Sequence, residues 1–182
     1  ATSIFAVFRA GEMPRPAYWF FSCLGSAFVA GFALMQGAAD LSSADGYMVA
    51  AVVLCALGYA EGARLARRMG GWQVISWALV LALPPMLVTT AMRWPASLAG
   101  IPAAAWTSLG YVSLFSMLIG FVFWYRGLAQ GGVAAVGQLQ LLQPFMGLAL
   151  AGLLLGEAVS PAMWLSTLGV VLCVAGARRF AA

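Results

Sequence analysis

Glutamines inside an apolar stretch are the side chains of this chain best suited to binding chemistry. Gln140 and Gln143 lie in the stretch 132–155 and, with Gly147, share one face of a helix because of their spacing. An amide donates and accepts hydrogen bonds, so the pair could orient a polar solute in a cavity. The two amides could equally bond neighbouring helices and only hold a bundle together. Both interpretations stay open, whereas Gln138 faces elsewhere and is expected to be structural.

Three further polar side chains are candidates for a cavity wall. Tyr111 lies in the stretch 103–125, on a stripe of aromatic and small residues at helical spacing. Such a stripe could stack on an apolar or aromatic solute, although it is also typical of plain packing. Tyr47 and Ser76, near the starts of two other stretches, complete the set of candidates.

Glu61 is the candidate for ion coupling, because it is an acidic residue at the inner end of the stretch 47–63. A carboxyl group inside a membrane protein could take up and release a coupling proton. The alternative, which we favour, is a hydrated helix end at which Arg64 balances the charge from three residues away.

Composition excludes most other kinds of chemistry. The chain has no histidine and no lysine, and its three cysteines lack any metal-binding or disulfide spacing. We therefore expect no metal, no cofactor and no enzymatic activity. The net charge of +4 comes from arginines, which in a membrane protein mainly set orientation, so no nucleic-acid partner is expected.

The elements that must position these residues are membrane-spanning helices. Hydrophobic residues make up 64% of the 182 residues, charged residues only 8%, and the mean hydropathy is +0.97. A bilayer core requires about 20 mostly apolar residues per helix. Six stretches qualify, and the predicted fold class is an all-α polytopic membrane helix bundle. The stretches are 16–36, 47–63, 72–92, 103–125, 132–155 and 161–177.

The arginines predict the orientation of these helices. If the carboxyl terminus is cytoplasmic, every arginine except Arg93 falls on the cytoplasmic side, as the positive-inside rule requires. We therefore expect a multi-pass protein of the bacterial inner membrane. The segment 64–71 should face the cytoplasm, and the segments 37–46 and 156–160 should face outward.

Two segments of the chain resemble each other. Residues 11–19 and 156–164 share five of nine positions at an offset of 145: Gly11/Gly156, Glu12/Glu157, Pro16/Pro161, Ala17/Ala162 and Trp19/Trp164. A fixed offset indicates an internal repeat. Because five predicted spans separate the two segments, the repeats are inverted in the membrane, as in many carriers. Each glutamate precedes a helix amino terminus, where a structural role is expected.

The repeat also predicts the domain organisation. Residues 1–36 correspond to a remnant of a first five-helix repeat, with the end of its fourth helix and its fifth helix. Residues 46–179 correspond to a complete second repeat. Two such repeats would total roughly 290 residues, so we expect the chain to need a missing amino-terminal repeat, or self-association, to transport.

Four motifs in a fixed order resemble the EamA type of the drug/metabolite transporter superfamily. They are Gly131-Gly-Val-Ala-Ala135, Leu139-Gln-Leu-Leu-Gln-Pro144, Leu154-Leu-Gly-Glu157 and the glycine-rich helix containing Gly169 and Gly176. The resemblance implies ten helices in two inverted repeats, of which six are present here. It also implies transport of small metabolites without ATP hydrolysis.

These observations together predict a secondary transporter in the lipid bilayer. We expect it to export small organic solutes, namely metabolites, amino acids or drugs, by alternating access between inverted repeats. The alternative is a non-transporting membrane subunit, or a truncated half that acts only by association.

Overall fold

The computed structural model describes residues 1–35, 43–95, 97–156 and 161–181. These residues form helices and connecting turns, with no strand among them. The α-helices are α1 (Thr2–Ala10), α2 (Pro16–Met35), α3 (Ser43–Met69), α4 (Gly71–Met92), α5 (Ala103–Tyr111), α6 (Phe121–Gly131), α7 (Val133–Gly137), α8 (Gln143–Leu155) and α9 (Pro161–Arg179). Most of the two predicted outward segments, 156–160 with Glu157 and 37–46, lies outside the described residues.

The all-α membrane fold class is confirmed. Among the described residues, four helical segments are long and apolar enough to cross a membrane, and a fifth apolar helix, Pro16–Phe32, is shorter. The four segments are Ala44–Met69, Gly71–Met92, Ala103–Gly131 and Val133–Leu154. Their apolar side chains are largely exposed, which suits a surface that faces lipid.

Most predicted bounds agree with the described helices to within two residues. The helical segment that begins at Ala103 continues to Gly131, beyond the predicted end at residue 125. Helix α3 begins four residues before the predicted stretch 47–63 and continues six residues beyond it. The additional residues include Arg67 and Arg68, which favour a helix and complement the negative end of its dipole. The helix stops at Gly70, whose φ of +95° is a conformation that other residues adopt at a cost.

Two of the spans are not continuous α-helices. A π-helix, Val112–Gly120, joins α5 to α6, and a 3₁₀ segment, Gln138–Leu142, joins α7 to α8. At the end of the π-helix a Cβ on Gly120 would lie 3.0 Å from the carbonyl oxygen of Phe115, so a residue without a side chain permits the wide turn.

The chain divides into two compact units, the first formed by residues 1–60 with 131–182. In the first unit α2 packs antiparallel on α9 through glycine notches. A Cβ on Gly169 would lie 2.9 Å from the ring of Phe28, and one on Gly176 would lie 2.7 Å from the ring of Phe21. These glycines therefore allow close helix approach, as small residues do in membrane bundles.

A hydrophobic core completes the first unit. Its buried members come from α2, α8 and α9, and the rings of two of them, Phe32 and Phe145, lie 5.4 Å apart. The five members are Phe32, Phe145, Met163, Val170 and Val174.

The second unit comprises residues 61–130. Gly62 of α3 lies directly against the ring of Tyr125, and a Cβ on Gly71 would lie 2.8 Å from the carbonyl oxygen of Val122. The start of α4 thus packs backbone to backbone against α6. Helix α4 itself continues through Pro84 and Pro85.

Candidate functional site

A buried amide organises the polar interior of the first unit. Gln138 begins the 3₁₀ segment and is only 5% exposed, and Tyr18 of α2 is completely buried beside it. The Nε2 atom of Gln138 lies 2.7 Å from the hydroxyl of Tyr18, 2.8 Å from that of Ser22 and 3.2 Å from that of Ser3. We call Ser3, Tyr18, Ser22 and Gln138 the buried polar cluster.

The backbone carbonyl oxygens around the cluster show in which direction its hydroxyl groups donate their protons. Tyr18 donates its hydroxyl proton to the carbonyl oxygen of Ala134, at 3.1 Å, and Ser22 donates to the carbonyl oxygen of Tyr18, at 2.8 Å. Both hydroxyl oxygens are therefore free to accept the two protons of the Gln138 amide. Ser3 then donates to the Tyr18 hydroxyl. The cluster thus links α1, α2, α7 and the 3₁₀ segment.

One hydrogen-bond acceptor of the buried polar cluster is unpaired among the described residues. The carbonyl oxygen Oε1 of Gln138 is buried and has no hydrogen-bond partner within the described residues. Buried polar groups are nearly always paired, and each exception needs an explanation.

A cavity of about 520 Å³ borders the buried polar cluster. Its wall combines hydroxyl and amide groups with apolar and aromatic groups, and Gln140 of the 3₁₀ segment is half-buried within it. Solute sites in proteins typically have volumes in this range and a few convergent polar groups. The lining residues are Ala1, Thr2, Ser3, Ile4, Trp19, Ser22, Cys23, Ser26, Val52, Gly137, Gln138, Gln140 and Leu141.

A carboxylate supports this wall from the helix end. Both oxygens of Glu12 accept backbone N–H groups at the start of α7, one from Val133 at 2.6 Å and one from Ala134 at 2.7 Å. The negative charge also suits the positive end of the helix dipole. From the sequence, Glu12 was expected to have a structural role just before the amino terminus of the helix that follows it, α2. In the structure its carboxylate stabilises the start of α7 instead.

The other predicted site residues do not line this cavity. Gln143 is exposed at the start of α8, and Tyr47 is 79% exposed on α3. Gln140 and Gln143 were placed on one face by assuming a continuous α-helix, but a 3₁₀ segment with three residues per turn separates them. Of the two, the structure brings only Gln140 to the cavity.

The remaining candidates belong to the second unit. Tyr111 is 64% exposed and stacks on Phe115, with 5.1 Å between the ring centroids. The stripe predicted for residues 103–125 assumed α-helical spacing throughout, and the π-helix changes that spacing after Tyr111. Ser76 and Glu61 are both half-buried, on α4 and α3 respectively.

Sequence reasoning missed the residues of α2 that complete the site. Tyr18, Ser22 and Ser26 are spaced by four residues, which places them on one face of an otherwise apolar helix. Each serine donates to the carbonyl oxygen four residues earlier, at 2.8 Å. That spacing was the available signal, whereas the contact of Tyr18 with Gln138 joins residues 120 positions apart.

No cluster of three or more histidine, cysteine, aspartate or glutamate side chains suited to a metal ion occurs among the described residues. The side chains that line the cavity offer hydroxyls, amides, a thiol, an indole and apolar groups, which bind solutes through hydrogen bonds and packing.

Comparison with known proteins agrees with the family resemblance found in the sequence. The family model described as the EamA-like transporter family matches residues 42–178. The chain is also 61% identical over 181 residues to a Bacillus subtilis (strain 168) protein named uncharacterized transporter YdeK. The match covers 100% of this chain, and the chain spans 63% of the length of the relative. No solved structure matches the chain.

Proposed function

Since the chain belongs to the EamA-like transporter family, and is thus part of a membrane transporter, we propose that it contributes the solute cavity of a secondary carrier. The carrier moves small organic solutes across the bacterial inner membrane without ATP hydrolysis. Export is the proposed direction. The cavity beside the buried polar cluster is the proposed binding site.

The observation that carries this proposal is the position of the cavity along a span. The segment Val133–Leu154 is long enough to cross a membrane, and its 3₁₀ part supplies Gln138, Gln140 and Leu141 to the cavity wall, next to Gly137 at the end of α7. Non-α backbone at membrane depth is tolerated where it is buried in protein or lines a cavity. A 3₁₀ stretch within a helix also often marks a hinge.

The lining residues suggest the solute class. No side chain among them carries a charge, and their polar groups are hydroxyls, amides, a thiol and the indole N–H of Trp19. A net charge in such a wall would be costly without a counter-charge. We therefore propose neutral or zwitterionic solutes, for which Gln140 supplies directional hydrogen bonds and Trp19 supplies a ring face.

Alternating access would use the inverted repeats that the sequence predicts. In this mechanism the two repeats rock about a site near the midplane of the membrane. Gln143, Tyr47, Tyr111 and Ser76 would then line other parts of the pathway, and Glu61 is the proposed coupling carboxylate.

Solute flux into proteoliposomes tests this function. The full-length protein should accumulate a labelled neutral amino acid by counterflow, and an anionic analogue of the same size should not compete. Correctly inserted protein that moves neither solute, in a panel that also includes neutral drugs, would favour the non-transporting subunit.

Cysteine labelling tests the proposed orientation. In a cysteine-free background, a membrane-impermeant thiol reagent should modify Ser43→Cys from outside intact cells and leave Met69→Cys untouched until the membrane is opened. The opposite pattern would invert the topology and place the carboxyl terminus outside.

A further inference from the structure

A second cavity, of about 640 Å³, lies within the unit formed by residues 61–130. It shares no lining residue with the solute cavity. The end of α3, the start of α4 and α6 form its wall, and the wall includes two guanidinium groups. The lining residues are Ala66, Arg67, Gly70, Gly71, Trp72, Val122, Arg126, Ala129 and Gln130.

The two arginines of this wall have no counter-charge among the residues that the structure describes. Neither the Arg67 nor the Arg126 side chain makes a hydrogen bond or an ion pair within the part of the chain that the structure describes. No acidic side chain is among the lining residues. Two guanidinium groups in one cavity present a forked set of donors that matches the oxygens of a phosphate.

The backbone adds to the positive potential of the cavity. Helix α4 has 22 residues, and no side chain caps its amino terminus. Gly71 and Trp72, its first two residues, line the cavity beside the two arginines. The partial positive charge of a helix start reinforces the attraction of the guanidinium groups for an anion.

The position of the cavity identifies the kind of anion. The spans Ala44–Met69 and Gly71–Met92 meet at the turn that lines the cavity, so the turn lies at a membrane surface. Trp72 is an amphipathic side chain typical of that depth, and Ala66, Val122 and Ala129 provide apolar wall. A ligand that combines a phosphate with a glycerol and acyl chains fits both the two arginines and the apolar wall of this cavity.

We propose that the cavity lined by Arg67 and Arg126 binds the phosphodiester headgroup of an anionic phospholipid. The arginine distribution places this turn on the cytoplasmic side, whose leaflet carries anionic lipids. The guanidinium groups contact the phosphate oxygens, and Trp72 packs against the glycerol region. This site goes beyond solute transport and does not depend on the identity of the solute.

Lipid titration followed by native mass spectrometry tests the proposal on the full-length protein. Phosphatidylglycerol and phosphatidylcholine with identical acyl chains are the probes. The unsubstituted protein should bind phosphatidylglycerol about ten-fold more tightly, as expected for charge-assisted hydrogen bonds to one anion. Arg67→Gln and Arg126→Gln should each abolish most of this preference. Arg68→Gln is the matched control, because Arg68 adjoins Arg67 in sequence and carries the same charge outside the cavity.

Each alternative outcome has a clear meaning. Equal loss in Arg68→Gln and Arg67→Gln would attribute the preference to diffuse surface charge and overturn the site. No preference for phosphatidylglycerol in the unsubstituted protein would overturn it without any variant. Displacement of the lipid by inorganic phosphate at equal concentration would overturn the lipid assignment in favour of a free phosphate. Thermal unfolding without added lipid shows that each variant is folded.

Discussion

The two compact units place their polar side chains in opposite ways. In the first unit, Gln138, Tyr18 and Ser22 lie buried between helices and bond to one another. Among the described residues 61–130, the buried side chains are small or aliphatic apart from Tyr125, while the arginines are exposed. The first unit thus contains a hydrogen-bonded polar cluster that borders a cavity. In the second unit, Arg67 and Arg126 line a cavity instead of joining such a cluster.

The largest expected effect comes from the carboxylate that supports the polar interior. Glu12→Ala removes two charge-assisted hydrogen bonds, of 2.6 and 2.7 Å, from the start of α7. We expect a loss of about 3 kcal/mol in the free energy of unfolding, because bonds to charged groups are the stronger kind. Denaturant titration in detergent measures it.

Glu12→Gln is the matched control for charge. Its amide oxygen can keep one of the two bonds, so it should lose only about half as much stability. If both variants unfold like the unsubstituted protein, the first unit does not depend on this carboxylate and the contrast between the units weakens.

The next largest expected effect on stability distinguishes Gln138, which belongs to the buried polar cluster, from Gln140, which does not. Gln138→Leu removes the shared donor of the buried polar cluster, and we expect a loss of about 1.5 kcal/mol. The loss is limited because the substitution also removes the unpaired Oε1 atom. Gln140→Leu leaves that cluster intact and should change stability by less than about 0.5 kcal/mol. Thermal unfolding followed by circular dichroism compares the two, and equal losses would contradict the distinction between a structural and a cavity amide.

A smaller effect tests the packing of α2 on α9. A Cβ on Gly176 would lie 2.7 Å from the ring of Phe21, so Gly176→Ala forces the ring to move and should cost about 1 kcal/mol. Gly147→Ala is the control, because apart from the backbone of its own helix no described atom lies within 4 Å of a Cβ at that position. The control should lose no stability in the same unfolding assay. If the two substitutions behave alike, close helix approach at Gly176 contributes nothing.

The spans could be predicted from the sequence because bilayer thickness and hydropathy limit where a helix crosses. The sequence also shows that α9 is rich in glycine, and Gly169 and Gly176 lie against phenyl rings in the structure. The 3₁₀ and π segments could not be predicted, because a hydrophobic pattern does not encode a local change in residues per turn. That change decided which of Gln140 and Gln143 reaches the cavity.

Contacts between residues that are distant in sequence could not be predicted from the sequence either. Tyr18 and Gln138 are 120 residues apart, and nothing local to either residue indicates its partner. Glu12 was expected near a helix start, but the helix that it caps begins 121 residues later. Such pairs follow from how the helices pack, which composition and periodicity do not specify.

The most direct test of the carrier hypothesis measures solute transport by two glutamine variants of the full-length protein in proteoliposomes. Gln140 lines the cavity, whereas Gln143, in the next turn, is exposed outside its lining. Losing one hydrogen bond to the solute costs about 0.5–1.5 kcal/mol, so Gln140→Ala should raise the KM for a neutral solute several-fold at equal protein abundance. Gln143→Ala should leave the KM unchanged. An unchanged KM in Gln140→Ala, or an equal rise in both variants, would contradict the assignment of this cavity as the solute site.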